Sequence, residues 1–371
     1  MSNSRRVVIA FLGNFNYDSR CLNLHHSFTE RGFKVKVISF DWLTPNFMRQ
    51  KGEVAVHKLD KKYSLIYYLR FAAILSYNLI QTKADYYFAE DVYTLPFVVS
   101  ISKINGGRVF YDSRELYGHL AGLKHKQTIQ KILYQIERIF IRHVDNVITT
   151  GEMDSEFLQK EYGLKETIVL RNLPMRQSGV EPFDFRKKFK LDEEIKILLY
   201  QGVILHGRGL KILFEVVKKT SDTFLIVIGD GEHRNYYEEL SESEGIKPRV
   251  FFMGKVPQRF LLNYTAGADI GFALIENISL SYFYALPNKL FEYIQAGLPV
   301  IVSNFPQMKK IVDDYKIGIA VDLEREEDVI AAVVKLIKEK SFYNELKSNC
   351  IIAADKLNWN VEIEKMFKII T

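Results

Sequence analysis

The sequence predicts an α/β protein built as two doubly wound domains with parallel sheets. Three observations carry this. Short β-branched, apolar runs alternate with helical patterns along the whole chain. Most of those runs are continuously apolar, without strict alternation, as in strands buried on both faces. The length, 371 residues, suits two domains at about 100–200 residues each.

The candidate strands of the first half are Val7–Phe11, Val35–Phe40, Tyr86–Ala89, Arg108–Tyr111, Asn146–Thr149 and Thr167–Leu170. Those of the second half are Ile195–Gln201, Phe224–Gly229, Val250–Met253, Asp269–Ala273, Val300–Val302 and Ile319–Val321. Helical stretches lie between them, so the chain reads as repeated βα units. No repeat of solenoid period is present. Arg171–Glu194 carries two prolines, a glycine in a polar patch and a charge run, which are linker features. The expected boundaries are therefore 1–172 and 173–356. A single amphipathic helix, 357–371, either caps the second domain or crosses back to the first.

Composition excludes several classes. Apolar residues are 47% and charged residues 26%, which is ordinary for a globular protein. The two cysteines, Cys21 and Cys350, are too few and too far apart for a disulfide framework or a cysteine zinc site. This points to a reducing compartment. Only six apolar residues follow Arg5 and Arg6 before Gly13, too few for a signal-peptide core. Tyr63–Ile80 has 18 residues and a single charge, Arg70. It is short for a transmembrane helix, which needs about 20 apolar residues, and a central Arg is costly in hydrocarbon. A buried or half-buried helix is expected there.

Charge is uneven. Residues 1–175 hold 24 Lys+Arg against 17 Asp+Glu, a net of +7, while residues 176–371 hold 27 against 28. Such asymmetry suits an anionic surface facing the first half. Lys124–His143 adds an apolar stripe, Ile129, Ile132, Leu133, Ile136, Ile139 and Phe140, beside Lys124, Lys126, Lys131, Arg138 and Arg142. The stripe is expected to be core, with the bases free to meet lipid headgroups.

The most informative stretch is Ala285–Ser303, ALPNKLFEYIQAGLPVIVS. Pro287 and Asn288 start a short helix, Lys289–Gln295, and Gly297 stops it. Free N–H groups at a helix start, with a lysine beside them, form a ready anion site. Glu292, one turn in, is placed to accept bonds from hydroxyls. Phosphate at the helix start and a carboxylate for ribose is the layout for a nucleoside diphosphate.

This segment resembles the donor-site signature of retaining GT-B glycosyltransferases of family 4, often called group 1. Glu292 matches the second Glu of that signature, and Ala296, Gly297, Pro299, Val300 and Ile301 match its tail; Tyr284 stands at the first Glu. Pro287, Asn288, Lys289 and Leu290 resemble the variant found in bacterial polysaccharide enzymes. Tyr200–Leu210, YQGVILHGRGL, resembles the first loop of the donor domain, with Gly202 in the turn, Arg208–Gly209 at the Lys-Gly position and Val203 at the first basic position. FLIVIGDGE and VFFMGKV, with Gly229, Gly231 and Gly254, resemble the loops that frame base and ribose.

In the first half, Gly13 and Asn14 resemble the family's opening loop, and Asp18 and Arg20 an Asp-x-Arg of a bacterial branch. Asp18 also suits a helix N-cap. DYYFAEDVYTLP and VFYDSRELYGHL resemble two blocks that normally present histidines; here Glu90 and Arg114 stand at those positions, with Asp91, Asp112 and Glu115 retained. A cation at position 114 suits an acidic sugar or the diphosphate.

The resemblance implies a GT-B fold: two Rossmann-like domains whose parallel sheets face across a cleft. It implies a retaining transfer of a sugar from a nucleotide-diphosphate sugar to a saccharide or lipid-linked saccharide; with no Asp-x-Asp pair and no histidine cluster of ligand spacing in the sequence, the transfer is expected to be metal-independent. The expected setting is cell-surface polysaccharide assembly in the cytoplasm, and the basic first half adds the expectation of a peripheral place on the inner face of the membrane. Arg208, Lys289, Arg114 and Asp18 are the expected catalytic residues. Gly13, Gly202, Gly229, Gly231, Gly254, Pro287, Asn288, Leu290 and Glu292 are expected at the donor. Asn14, Arg20, Asp91, Asp112 and Glu115 are expected on the acceptor side. No cofactor, metal or nucleic acid is expected. A nucleotide-sugar epimerase of the same fold and a catalytically degenerate partner protein are the competing readings.

Overall fold

The structure is a computed structural model that describes residues 4–42, 50, 52–62 and 64–370. It divides into two compact units, Met1–Asn172 with Ile363–Thr371, and Leu173–Glu362.

The strands of the first unit are β1 (Arg6–Ala10), β2 (Lys34–Asp41), β3 (Val54–Lys58), β4 (Tyr86–Ala89), β5 (Arg108–Ser113), β6 (Asn146–Thr149) and β7 (Ile168–Val169). Its helices are α1 (Ser19–Glu30), α2 (Ser64–Ile80), α3 (Leu95–Asn105), α4 (Gln127–Phe140) and α5 (Glu152–Tyr162). The strands form one parallel sheet in the order β3–β2–β1–β4–β5–β6–β7. The order reverses between β1 and β4, because the chain first winds outward through β2 and β3 and then returns. All six expected strands are present. β3 is the addition: its apolar run is only Val54–Val56, and it pairs with β2 at the sheet edge, with an isolated antiparallel bridge from Val56 to Gln50.

Helix α1 starts where Asp18 accepts the Cys21 N–H at 2.8 Å, and it ends before Gly32, whose φ is +79°. Helix α2 buries Tyr67, Phe71, Leu75 and Leu79 at helical spacing. Its other face leaves Leu65, Ile66, Tyr68, Leu69, Tyr77 and Ile80 exposed, so it is half-buried. Tyr63, the expected first residue of this segment, lies outside the described residues. No helix among the described residues is long and apolar enough to cross a membrane.

The stripe of α4 departs from expectation. Leu133 is buried and Ile136 and Phe140 are half-buried, but Ile129, Ile132 and Ile139 are exposed. The inward position belongs to Glu137 instead. Its carboxylate accepts the hydroxyls of Tyr111 at 2.5 Å, Ser113 at 3.2 Å and Tyr162 at 2.8 Å. A fully bonded carboxylate can occupy a core position that an isoleucine was expected to fill.

In the second unit the strands are β8 (Lys196–Gln201), β9 (Thr223–Ile228), β10 (Val250–Gly254), β11 (Ile270–Ala273), β12 (Val300–Ser303) and β13 (Gly318–Val321). The helices are α6 (Phe185–Phe189), α7 (Leu210–Lys219), α8 (Arg234–Ser243), α9 (Gln258–Ala266), α10 (Leu280–Phe283), α11 (Asn288–Gln295), α12 (Pro306–Tyr315), α13 (Glu326–Lys338), α14 (Lys340–Ala354) and α15 (Trp359–Glu362). The sheet is parallel, in the order β10–β9–β8–β11–β12–β13. It repeats the reversal of the first unit, now between β8 and β11. Alternate residues of β8 serve opposite faces: Ile197 and Leu199 join one apolar cluster, Leu198 and Tyr200 the other. Both faces are covered, which is why these strands read as unbroken apolar runs.

The expected single C-terminal helix is two short ones. Trp359 is fully buried in the second unit, and its N–H bonds the Pro174 carbonyl at 2.9 Å. After Ile363 the chain forms α16 (Glu364–Ile370), which belongs to the first unit. There Phe367 meets Phe28 edge-on at 5.3 Å, and Arg31 lies 3.9 Å over its ring. The backbone turns between the two helices because each end packs into a different core.

Candidate active site

Ligands of open parallel sheets bind beyond the carboxyl ends of the strands, where the order reverses. Each unit presents a group of charged residues at that place.

In the second unit, three strand-end loops are stitched together by glycine. Gly202 (φ +131°) donates its N–H to Ile228 O, and Gly229 (φ +135°) donates to Gly254 O, both at 2.9 Å. A side chain at Gly229 would collide with the Gly202 carbonyl, and one at Gly231 with the Ile204 carbonyl. Positive φ and this close approach both require glycine. Gly254, at φ +80°, completes the set.

Arg208 lies in the loop after β8. It gives Nε to Tyr282 Oη at 3.1 Å and stacks 4.5 Å over the same ring. It is in no ion pair among the described residues. Gly209, at φ +74°, caps α7, and its N–H reaches Glu276 at 3.4 Å.

Pro287, at φ −73°, leads into α11, which starts at Asn288, one residue before the expected start. Lys289 in its first turn is 7% exposed, and Nζ has no hydrogen-bond partner. The ammonium lies 4.2 Å over the Tyr200 ring. Burial and then the Arg208 charge hold its pKa down at about 7, against an upward pull from Glu292. Glu292 accepts a bond from Gln201 Nε2. Burial raises its pKa, while bonds from Gln201 and Gln258 and the Lys289 charge lower it. Leu290 is different from its neighbours: its side chain is in the core and its N–H bonds Pro287 O at 3.0 Å. It therefore brings no polar side chain to the site.

Several members were not legible in the sequence. Gln201 holds Glu292 with its amide N–H while its Oε1 accepts Thr265 at 2.7 Å. Tyr282 aligns Arg208, and Tyr200 floors Lys289. The rings of His206 and His233 lie 3.9 Å apart at the ends of β8 and β9. Tyr284 contributes its carbonyl to Gln307. Only the glycine beside Gln201 hinted at its place.

In the first unit, Arg20 is fully buried. It gives Nε and Nη2 to Asp112 and Nη1 to Leu170 O at 2.8 Å. Arg114 gives Nη1 to Asp18 at 2.7 Å and Nη2 to Glu90 and to Cys21 Sγ at 3.1 Å. Its Nε lies 3.9 Å from Asp112. Asp18 thus caps α1 and pairs Arg114 at once. Burial raises the Asp18 pKa, but the Arg114 charge and the Cys21 N–H outweigh it, and the net shift is downward.

Asp91 organises its own loop. It accepts the Leu12 N–H at 2.5 Å and the Thr94 N–H at 2.8 Å. Asn14 accepts the Asn16 N–H at 3.0 Å, and its Nδ2 is buried without a partner. Gly13 fits against the Phe11 ring, which a Cβ would strike. Glu115 is exposed. The structure brings Asp18, Arg20, Asp112 and Arg114 together and adds Glu90, which sequence reasoning left out of the site.

Two such units, each α/β with its order reversal ringed by polar loops, make a two-domain fold of the GT-B kind. Residues 183–356 match the family model for glycosyl transferases group 1, and the domain they form belongs to that family. A sucrose-phosphate synthase from Thermosynechococcus elongatus superposes with a TM-score of 0.81 at 13% identity, covering 99% of this chain and 98% of that one. HepE of Anabaena, solved in complex with UDP, gives 0.72 at 15% identity, with 99% of both chains covered. In sequence, a chitobiosyldiphosphodolichol beta-mannosyltransferase of Candida glabrata is 22% identical over 97% of this chain and 89% of its own. A putative teichuronic acid biosynthesis glycosyltransferase of Bacillus subtilis is 25% identical over 74% of this chain and 70% of its own.

Proposed function

We propose that this glycosyltransferase moves a hexosyl group from a nucleoside diphosphate sugar to a saccharide or lipid-linked saccharide, with retention and without a metal, in cell-surface polysaccharide assembly. The observation that carries the donor half is Lys289: a buried ammonium with no partner, in the first turn of α11, beside an unpaired Arg208. A diphosphate supplies the anion both lack. As the glycosidic bond breaks, the leaving diphosphate gains charge, and fixed cations with helix N–H groups stabilise it. Arg208 offers a planar fork for the purpose, held in orientation by Tyr282. Glu292, steadied by Gln201, is left to accept ribose hydroxyls. HepE, crystallised with UDP, and relatives named for teichuronic acid and lipopolysaccharide core supply the analogy for donor and setting.

The acceptor half includes a peripheral site on the inner membrane face. Exposed Ile129, Ile132 and Ile139 share α4 with Lys131 and Arg138, and Lys124 and Lys126 precede it. The exposed apolar face of α2 adds to this. Apolar contact with flanking lysines suits an anionic bilayer, each base contributing about 1 kcal/mol near the surface.

The test is release of the nucleoside diphosphate from a panel of nucleotide sugars with and without EDTA, followed by anomeric analysis of the product by NMR. Turnover unaffected by EDTA with the donor configuration kept supports the reading. Strict metal dependence or an inverted product overturns that part of it. Sedimentation with vesicles should show binding that rises with anionic lipid and falls in high salt.

A further inference from the structure

Strand β8 is apolar from Ile197 to Tyr200 and then ends on a buried amide, Gln201. The backbone of Gln201 is secured without its side chain. Its N–H goes to Tyr293 Oη at 3.1 Å, and that hydroxyl lies 3.3 Å from Leu199 O and 3.2 Å from Phe272 O. The side-chain amide is therefore free of the task of docking α11 on the sheet. Its Nε2 donates to Glu292 Oε2, and its Oε1 accepts the Thr265 hydroxyl at 2.7 Å. Thr265 is fully buried on α9, which packs against α11. One chain of bonds thus runs from α9 through β8 to α11.

The chain has a direction. An ionised carboxylate only accepts, so the amide faces Glu292 with its N–H and Thr265 with its oxygen. The Thr265 hydroxyl can donate, which suits that orientation; it shares its proton with Leu261 O at 2.8 Å. A carboxylate has about four acceptor positions. Gln201 takes one and Gln258, in the first turn of α9, takes another. Two are left, and Glu292 is half-buried, open to a ligand. The vicinal hydroxyls of a ribose need two acceptors, one each.

We propose that Gln201 is a positioning residue for the donor, supported by Thr265. Together they turn Glu292 so that its two open acceptor positions meet the ribose diol, and the site thereby selects ribonucleoside over deoxyribonucleoside diphosphates. The inference rests on the donor reading, in which Glu292 meets ribose, and adds the residues that orient it. Gln201 and Thr265 act through Glu292 and do not touch the nucleotide. Lys289, on the same helix, is the charge that acts on Glu292; Gln201, Gln258 and Thr265, from β8 and α9, are neutral.

Calorimetric titration of the full chain tests this with UDP, 2′-deoxy-UDP, 3′-deoxy-UDP and inorganic pyrophosphate. The quantity read is the UDP affinity divided by that of each deoxy analogue. This ratio cancels the diphosphate and the Lys289 charge, which all three nucleotides share, while pyrophosphate reports on those alone. The wild type should bind UDP about ten-fold more tightly than either analogue, the worth of one hydrogen bond to a charged acceptor. Gln201→Leu keeps the backbone bond to Tyr293; it should bring the ratio near one and leave pyrophosphate affinity unchanged. Thr265→Val keeps the shape without the hydroxyl and should lower the ratio by a smaller factor, about three-fold. Gln201→Glu sets a second carboxylate against Glu292. Its ratio should be lost where both are ionised and return as pH falls and the pair shares a proton. A packing role alone does not produce that pH dependence. A Gln201→Leu variant with the wild-type ratio would show that Gln201 does not orient Glu292. Loss of pyrophosphate binding in that variant would make Gln201 part of the fold only. Either result would overturn this inference and leave the donor reading standing. Failure of both UDP and pyrophosphate to bind the wild type would overturn the donor reading itself.

Discussion

In the first unit, both cations at the sheet reversal, Arg20 and Arg114, have carboxylate partners; in the second, Arg208 and Lys289 have none. The six strands of the second sheet repeat the order of the first six of the first sheet, which adds β7 at one edge. One fold therefore carries a site whose charge is satisfied before anything binds and a site that waits for an anion. Paired charges hold a loop in place; unpaired ones, kept out of water, cost stability and gain it back from a ligand. On this difference rests the proposal that the diphosphate is bound by the second unit.

The comparison breaks most forcefully at Arg20. Arg20→Met leaves Asp112 buried beside Glu90 with its main partner gone. Loss of one member of a buried pair costs about 3–5 kcal/mol. Chemical denaturation should show that loss in the transition that involves the first unit, with UDP binding retained. A variant as stable as the wild type would mean that the pair does not hold the loop.

Next in size is catalysis. Lys289→Ala and Arg208→Ala should each lower turnover by about 10²–10³, the usual effect of removing one anion stabiliser. Initial rates at saturating donor measure it. Equal rates would remove the second unit's cations from the mechanism.

The pH dependence sharpens the contrast, since the two units should respond with opposite sign. Glu90 has its folded pKa raised, from 4.5 to about 8. The folded state then binds more protons between those values, so its contribution to stability is full below the lower one and is lost as pH rises to the upper. Lys289 has its folded pKa depressed, from 10.5 to about 7. The unfolded state binds more protons there, so stability is recovered as pH rises from about 7 upward. Melting curves against pH for wild type, Glu90→Gln and Lys289→Met should separate the two slopes. A slope that persists in the corresponding variant belongs to another group.

The smallest effect is at Glu292. Glu292→Gln keeps the bond to Gln201 possible but removes the acceptor charge, and UDP affinity should fall by about ten-fold. Calorimetry reads it directly, and unchanged affinity would detach Glu292 from the ribose.

How far the sequence reached follows the same division. Twelve of the strands were legible because strands covered on both faces must be apolar throughout, as Ile197–Tyr200 is. β3 was not, since its apolar run is only Val54–Val56 between Glu53 and His57, too short to read as a strand by itself. Asp18 and Gly297 announced helix ends through local chemistry. Lys289, Arg208 and Glu292 were legible because a helix start, a glycine turn and a carboxylate lie within short spans. Glu90 was not, because its partner Arg114 is 24 residues away and Asp112 enters through a different strand. The stripe of α4 misled because Glu137 finds its three hydroxyl partners on β5 and α5, which no local pattern reveals.

The central claim is that the second unit's cations are held unpaired for a diphosphate. Calorimetric titration of UDP on either side of pH 7, in two buffers of different ionisation heat, tests it most directly. Lys289, largely neutral in the free protein above about 7, should take up a proton as the diphosphate arrives. UDP should then bind more tightly at the lower pH, with a buffer-dependent heat that disappears in Lys289→Met. Affinity and heat that ignore pH, buffer and the substitution alike would contradict the account.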